Sequence, residues 1–213
     1  RDAAHISQWG GYFRTLSIDG GKAEVSVCTN VANVDKTLSV ENLLIGSDGK
    51  VAAQYRCSDF DAQGNAVKTL TVDDAQLWSP ESPYLYRLVT RLYRNRKLID
   101  ETSQKVGIRT VRVARYDGFQ LNGVSRKIKG VCLHHDLGPL GAAVNKAALI
   151  RQIRTMKEMG CDAIRTAHNM PSTWQMEVCD SMGMMVMAES FDMWIYPKCK
   201  NGYALNFKEW SDR

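Results

Sequence analysis

Hydrophobic and polar positions along the chain follow two rhythms, and the change falls near residue 125. Before it, Ala23, Val25, Val27 and Val31 alternate with Lys22, Glu24, Ser26 and Asn30. Leu38, Val40 and Leu44 repeat the pattern, as do Tyr84, Tyr86, Leu88 and Leu92. Side chains two apart on a strand share a face, so each run can bury one side and wet the other. Gly20-Gly21, Asp48-Gly49, Gly64-Asn65 and Asn95-Arg96 punctuate these runs with residues suited to tight turns. About seven short strands in ~100 residues, with no helical stretch among them, predict an antiparallel β-sandwich of immunoglobulin-like type.

After Asp117-Gly118 and Asn122-Gly123 the order becomes strand, loop, helix, repeated. Residues 127–133 read as a short strand. Residues 145–159 read as a helix with Leu149, Ile150, Ile153 and Met156 on one side and Gly160 as its stop. Residues 163–166 form the next strand. Ser172 then caps a second helix, with Gln175 three residues on and Gly183 at its end. Residues 184–188 are apolar throughout, the pattern expected of a strand covered on both faces. A last helix is expected to begin near Leu205. Alternating β and α segments with short loops imply a parallel sheet with crossover helices. The expected domains are therefore 1–112, the sandwich, and 113–213, an α/β portion of three β/α units. Three units cannot close a barrel and would leave two bare strand edges, so the chain reads as a fragment.

Composition narrows the class further. The chain has 213 residues, 44% hydrophobic and 24% charged, which is globular rather than disordered or fibrous. No uncharged run approaches the ~18 residues of a membrane span. The start, Arg1-Asp2-Ala3-Ala4-His5, lacks a basic-then-apolar leader, and the compartment stays open. A net charge of +5 is scattered rather than gathered in a stripe, so neither nucleic acid nor a membrane is an expected partner. The six cysteines form no C-x-x-C and sit mostly in apolar runs, which predicts buried free thiols.

Functional side chains of parallel α/β folds sit just past the C-terminal ends of strands. His134, His135 and Asp136 follow the first such strand, Arg165, His168 and Asn169 the second, and Glu189, Asp192 and Trp194 the third. A metal site from His134, Asp136 and His168 is possible by ligand type but lacks the i, i+4 spacing of a helix-borne pair. There is no G-x-S-x-G elbow, no phosphate loop and no dinucleotide fingerprint. Carboxylates, an arginine, histidines and a tryptophan at one rim suit a sugar, whose hydroxyls take hydrogen bonds and whose ring face stacks on an indole. On residue type alone, Asp136 and Glu189 are the candidate acid/base pair.

Several blocks carry a resemblance. They are Gly107-Ile108-Arg109-Thr110, Asp117-Gly118-Phe119-Gln120-Leu121-Asn122-Gly123 and Lys129-Gly130-Val131-Cys132-Leu133-His134-His135-Asp136. To these add Met156 onward to Asn169, then Cys179-Asp180-Ser181-Met182-Gly183 and Met187-Ala188-Glu189-Ser190-Phe191-Asp192-Met193-Trp194. Upstream, Leu77-Trp78-Ser79-Pro80-Glu81 belongs to the same pattern. Together they closely resemble glycoside hydrolase family 2, which includes β-galactosidases, β-glucuronidases and β-mannosidases.

The resemblance implies an immunoglobulin-like sandwich followed by the first three β/α units of a TIM barrel. It implies a retaining exo-glycosidase for terminal β-linked sugars, with a β-galactosidase as the leading assignment, whose acid/base and nucleophile glutamates follow the fourth and seventh strands. No Asn-Glu pair follows Asp192, so both glutamates are expected beyond the chain, and the Asp136–Glu189 assignment gives way. The chain alone is then expected to be inactive, without cofactor. His134, His135, Asp136, Arg165, His168, Asn169, Glu189, Asp192 and Trp194 become expected substrate-binding residues. The Glu-x-His that binds magnesium in some relatives is replaced by Glu189-Ser190-Phe191-Asp192, so no metal is expected. Expected partners are a carbohydrate substrate, the remainder of the parent chain and further copies of it in a homo-oligomer; a non-catalytic carbohydrate-binding or interaction module is the alternative.

Overall fold

The alternating segments become strands with the expected faces turned inward. The computed structural model describes residues 3–211, except the Trp210 side chain. Arg1 and Asp2 of the segment read for a leader, and Arg213 at the chain end, lie outside the described residues. Strands β1 (His5–Asp19), β2 (Lys22–Ala32), β3 (Leu38–Ile45), β4 (Val51–Cys57), β5 (Asn65–Val72), β6 (Tyr86–Arg94) and β7 (Lys97–Val106) form two antiparallel sheets. Their orders are β1-β2-β5 and β4-β3-β6-β7, an immunoglobulin-like sandwich. The β1–β2 turn at Gly20-Gly21 and the β6–β7 turn at Asn95-Arg96 hold both central residues at positive φ, as a two-residue hairpin requires.

Val25 and Val27 of β2 and Val72 of β5 meet Leu44 of β3, Leu88 of β6 and Ile108 between the sheets, all buried. Each such aliphatic side chain stabilises the fold by ~1.5–3 kcal/mol relative to exposure. A polar cluster is sealed into the same sandwich. Asn42 donates through Nδ2 to Tyr55 Oη at 2.9 Å and to Thr29 Oγ1 at 3.2 Å, and accepts from Thr90 Oγ1 at 2.6 Å. Thr29, Asn42 and Thr90 are all buried. Burial pushes the Tyr55 hydroxyl up to about 12, so it remains a neutral donor and acceptor.

Next come β8 (Val111–Ala114), β9 (Gly118–Leu121) and β10 (Val124–Ser125), a small antiparallel sheet. The compact unit containing the sandwich runs to Lys127. Asn122 is one reason. Its backbone N–H donates to Thr110 O at 2.9 Å, its Oδ1 accepts from Thr110 N at 3.0 Å, and its Nδ2 donates to Trp78 O at 3.1 Å. Arg126 adds an ion pair to Glu81 at 2.8 Å, holding that carboxyl down at about 2. Trp78 is buried and packs so close to Gly107 that a Cβ there would sit 3.0 Å from the indole's own Cβ.

The second unit, residues 128–213, holds a parallel sheet of β11 (Gly130–Leu133), β12 (Ala163–Thr166) and β13 (Met185–Ala188) in that order. Helices α1 (Lys146–Glu158) and α2 (Thr173–Met182) cross between the strands. Asn145 caps α1 by accepting from Ala148 N at 3.0 Å, and Gly160 follows at φ 87°. Ser172 caps α2 by accepting from Gln175 N at 3.2 Å, and Gly183 ends it in the left-handed region. Leu149, Ile153, Val178 and Cys179 from the helices bury Ile164, with Leu133 and Val186 packed beside it. A 3₁₀ turn at Tyr203–Asn206 and α3 (Phe207–Ser211) form the expected last helical segment.

Two expectations need correction. Strand β13 is not covered on both faces: Met187 is 57% exposed, because it extends the row Cys132–Arg165–Met187 on the side away from the helices. The cysteines are free, but only Cys179 is buried, while Cys132 and Cys199 are exposed. Trp174 of α2 is 46% exposed, because only the Val178–Cys179 side of that helix is buried.

Asn42→Ala should lower the unfolding free energy by about 2–4 kcal/mol, because the buried Thr29 and Thr90 hydroxyls and the half-buried Tyr55 hydroxyl lose a partner. Urea denaturation followed by tryptophan fluorescence measures it; a loss within ~0.5 kcal/mol would contradict the account of the buried cluster.

Candidate functional site

The site is built at the C-terminal ends of β11, β12 and β13. Cys132, Arg165 and Met187 lie in one cross-strand row. The next residues on that face, His134 and Glu189, emerge from the strand ends. Arg165 reaches across to Glu189: its Nε donates to Oε1 at 3.0 Å, and its Nη2 donates to the same oxygen. Arg165 Nη1 also points at Cys132 Sγ, 3.7 Å away. The other carboxylate oxygen, Glu189 Oε2, lies 2.8 Å from His168 Nδ1. The Glu189 backbone N–H donates to Thr166 Oγ1 at 3.1 Å, so buried Thr166 holds the loop by its main chain.

These contacts settle protonation on chemical grounds. Hydrogen bonds from Arg165, with a lesser contribution from His168, hold the Glu189 carboxyl below the usual carboxylate range. The guanidinium in turn is stabilised as a cation by Glu189. An ionised carboxylate only accepts, so His168 carries its proton on Nδ1 and keeps Nε2 as its other polar atom. His134 packs edge-to-face against His168, ring centres 5.4 Å apart. His135 donates through Nε2 to the Asn169 carbonyl at 3.4 Å, tying the first loop to the second. The Ala167–His168 peptide is cis.

A hollow of about 370 Å³ opens here, lined by His134, His135, Ala167, His168, Asn169, Asp192 and Tyr203. Its size is that of a small-molecule site, and its walls mix donors and acceptors as a polyhydroxylated ligand requires. Asp192 stands 4.0 Å from His168 Nδ1 and pairs with Lys198, which holds the Asp192 carboxyl below its usual range. Arg165 and Glu189 are not lining residues; they orient His168 from beside the hollow.

Two residues expected at the site are placed elsewhere. Asp136 closes its own loop, its Oδ1 accepting from Gly138 N at 2.7 Å, and it borders an adjoining small crevice of about 30 Å³ that shares His134 and His135 with the hollow. Trp194 turns into an aromatic cluster with Phe191 and Phe207 and is 55% exposed, so it offers no stacking platform in the hollow. Among the described residues no three His, Cys, Asp or Glu side chains are grouped to hold a metal ion, which removes the geometric basis for His134, Asp136 and His168 as ligands. Tyr203 is the lining residue that sequence reasoning missed. Its hydroxyl accepts from Met193 N at 2.9 Å. The one signal was its position, an aromatic residue just after Gly202 where the last helical segment begins.

Comparison with known proteins extends these observations. Residues 4–109 match the model of the glycosyl hydrolases family 2, and residues 111–201 match the TIM barrel domain of the same family. A β-galactosidase of Bacteroides ovatus is 42% identical over 98% of this chain and 25% of its own length. A β-glucuronidase of Bacteroides fragilis is 32% identical over 79% of this chain and 25% of its own length. A crystal structure of a family 2 member from Bacteroides cellulosilyticus superposes with a TM-score of 0.90 at 36% identity, covering 99% of this chain and 28% of that one. The chain thus spans a quarter or less of the length of the curated relatives it matches. Strand order, capped crossover helices and these matches agree: the chain belongs to glycosyl hydrolase family 2, with the family's sandwich followed by the start of its TIM barrel.

Proposed function

We propose that the chain forms part of a retaining exo-β-glycosidase, a β-galactosidase, and supplies one wall of the sugar pocket rather than the reacting carboxyls. The observation that carries this reading is the hollow in which His168, fixed by Glu189, faces His134, Asn169 and Asp192. Such a wall offers hydrogen bonds to several hydroxyls at once. Retaining hydrolysis needs two carboxyl groups ~5 Å apart, one protonating the leaving oxygen and one attacking the anomeric carbon. Glu189 suits neither role, because it is ionised and its two oxygens are engaged by Arg165 and His168. Asp192 is ionised beside Lys198 and so is no proton donor. By resemblance to the family, the acid/base and the nucleophile are assigned to sequence outside these residues. On this reading Glu189 keeps the His168 tautomer fixed, so that Nε2 meets a sugar hydroxyl without rearrangement during the reaction. Similarity to both a β-galactosidase and a β-glucuronidase supports a β-glycoside as substrate.

The 213-residue chain incubated with 4-nitrophenyl β-D-galactoside should release no nitrophenol above background, whereas the full-length protein should turn it over. Sustained turnover by the 213-residue chain would mean that a catalytic carboxyl pair has been overlooked within it.

In the full-length protein, His168→Ala should cut kcat/KM by about a hundredfold, the scale of one lost hydrogen bond that strengthens at the transition state. Steady-state kinetics checks this; a change of less than about threefold would remove His168 from the sugar wall.

Because the folded-state pKa of Glu189 is depressed, its ion pairs are intact above the ordinary carboxylate range and are lost only as pH falls through the lower, folded value. Carbon-13 NMR of glutamate-labelled chain should give Glu189 a midpoint below the ordinary ~4.3, and a midpoint at or above that value would contradict the geometry.

A further inference from the structure

The loops after β12 and β13 also meet through a sulfur atom. Met170 directly follows Asn169 in the first loop, and Ser190 directly follows Glu189 in the second. Ser190 Oγ donates to Met170 Sδ at 3.6 Å. A thioether is a weak acceptor, so this clasp is far weaker than the pairing of Glu189 with Arg165 and His168 beside it.

Exposure and contact together single out Met170. Three of the nine methionines are exposed: Met159 at 65%, Met170 at 57% and Met187 at 57%. Met159 stands at the end of α1, and Met187 lies on β13. Neither of these two sulfurs takes a hydrogen bond from a hydroxyl among the described residues. The Met170 sulfur alone of the three is engaged by a neighbouring loop. A change at that atom is therefore passed to Ser190 and, one peptide bond away, to Glu189.

A peroxide oxidises a thioether by transferring one oxygen atom to it. The sulfur–oxygen bond forms as the oxygen–oxygen bond breaks, the sulfur gives up two electrons, and hydrogen peroxide leaves as water. The sulfoxide is polar and bulkier than the thioether. Its oxygen, formed on the side facing Ser190, takes the space across which that hydroxyl now donates. We propose that Met170 is a peroxide-modification site, whose sulfoxide pushes the loop after β13 away from the loop after β12 and loosens the hold of Glu189 on His168. A methionine sulfoxide reductase returns the thioether and with it the original spacing. The consequence for turnover rests on the reading of the sheet mouth as a glycosidase sugar wall; the modification itself does not.

The test treats the full-length protein with hydrogen peroxide and reads two quantities. Peptide mapping by mass spectrometry gives the sulfoxide fraction at each methionine, and 4-nitrophenyl β-D-galactoside gives kcat/KM before and after treatment. Met170 should be converted, and kcat/KM should fall in step with it by about tenfold, a modest cost for displaced site geometry. Reduction by the two epimer-specific methionine sulfoxide reductases should restore the rate, whereas dithiothreitol alone, which reduces oxidised Cys132 or Cys199, should not. Met170→Leu should keep its own untreated rate after peroxide, while Met159→Leu and Met187→Leu should lose theirs as the wild type does. An unmodified Met170 under peroxide that converts Met159 would overturn the proposal. So would full conversion with a rate change within about twofold, or a Met170→Leu variant that is inactivated like the wild type. Absence of galactoside hydrolysis before treatment would instead overturn the glycosidase reading and the link to turnover, and the peptide map would still decide whether Met170 is the modified residue.

Discussion

The mouth of the parallel sheet depends on one carboxylate. Glu189 emerges from β13, receives Arg165 on one oxygen and His168 on the other, and is held by its own N–H to Thr166. Arg165, Thr166 and His168 all belong to β12 or the loop after it, so a single side chain ties two neighbouring strand ends together. Charge-assisted hydrogen bonds are the stronger kind, and the pairing distributes one negative charge over two donors with fixed geometry. The ring of His168 is aimed by this contact, and the edge-to-face packing of His134 follows from it. Without the carboxylate, the guanidinium would lose its main partner and the imidazole its orientation.

The hollow is therefore a second-order product of secondary structure. Capped helices bury one face of the sheet, the strand row turns Arg165 to the other, and the loops inherit a direction from where the strands stop. The walls supply mixed polarity: imidazoles, an amide, a phenol and an ionised carboxylate. That combination suits ligands rich in hydroxyls, and it agrees with membership of glycosyl hydrolase family 2.

Much of the fold was legible along the chain because the information is local. Period-2 runs in β2 and β6, glycine-bearing turns, the Asn145 and Ser172 caps and the stops at Gly160 and Gly183 are each decided by near neighbours. The convergence of His134, His135, His168, Asn169 and Asp192 was legible too, since all follow strand ends of one parallel sheet. Asp136 and Trp194 sit at equally suggestive positions, yet Asp136 turns back on the Gly138 amide and Trp194 joins Phe191 and Phe207. Such choices are made among competing partners within irregular loops, where no periodicity reports direction. Tyr203 was invisible for the same reason, because its place depends on a loop closing around Met193. Asn122 likewise binds Thr110 and Trp78, contacts that no periodicity along the chain reports.

The buried amide of Asn42 has a consequence for how the two sheets align. Oily faces with a repeat of two tolerate sliding by two residues, since every inward position would still meet an inward position. Thr29 stands on one sheet and Asn42, Tyr55 and Thr90 on the other, and their hydrogen bonds close only in a single alignment. Any slid arrangement would strand several polar atoms in a dry interior, at roughly 1–3 kcal/mol apiece. The sandwich thus carries a latch: apolar contacts make the layers adhere, and a few misfit-intolerant polar atoms decide which of the near-equivalent stackings survives.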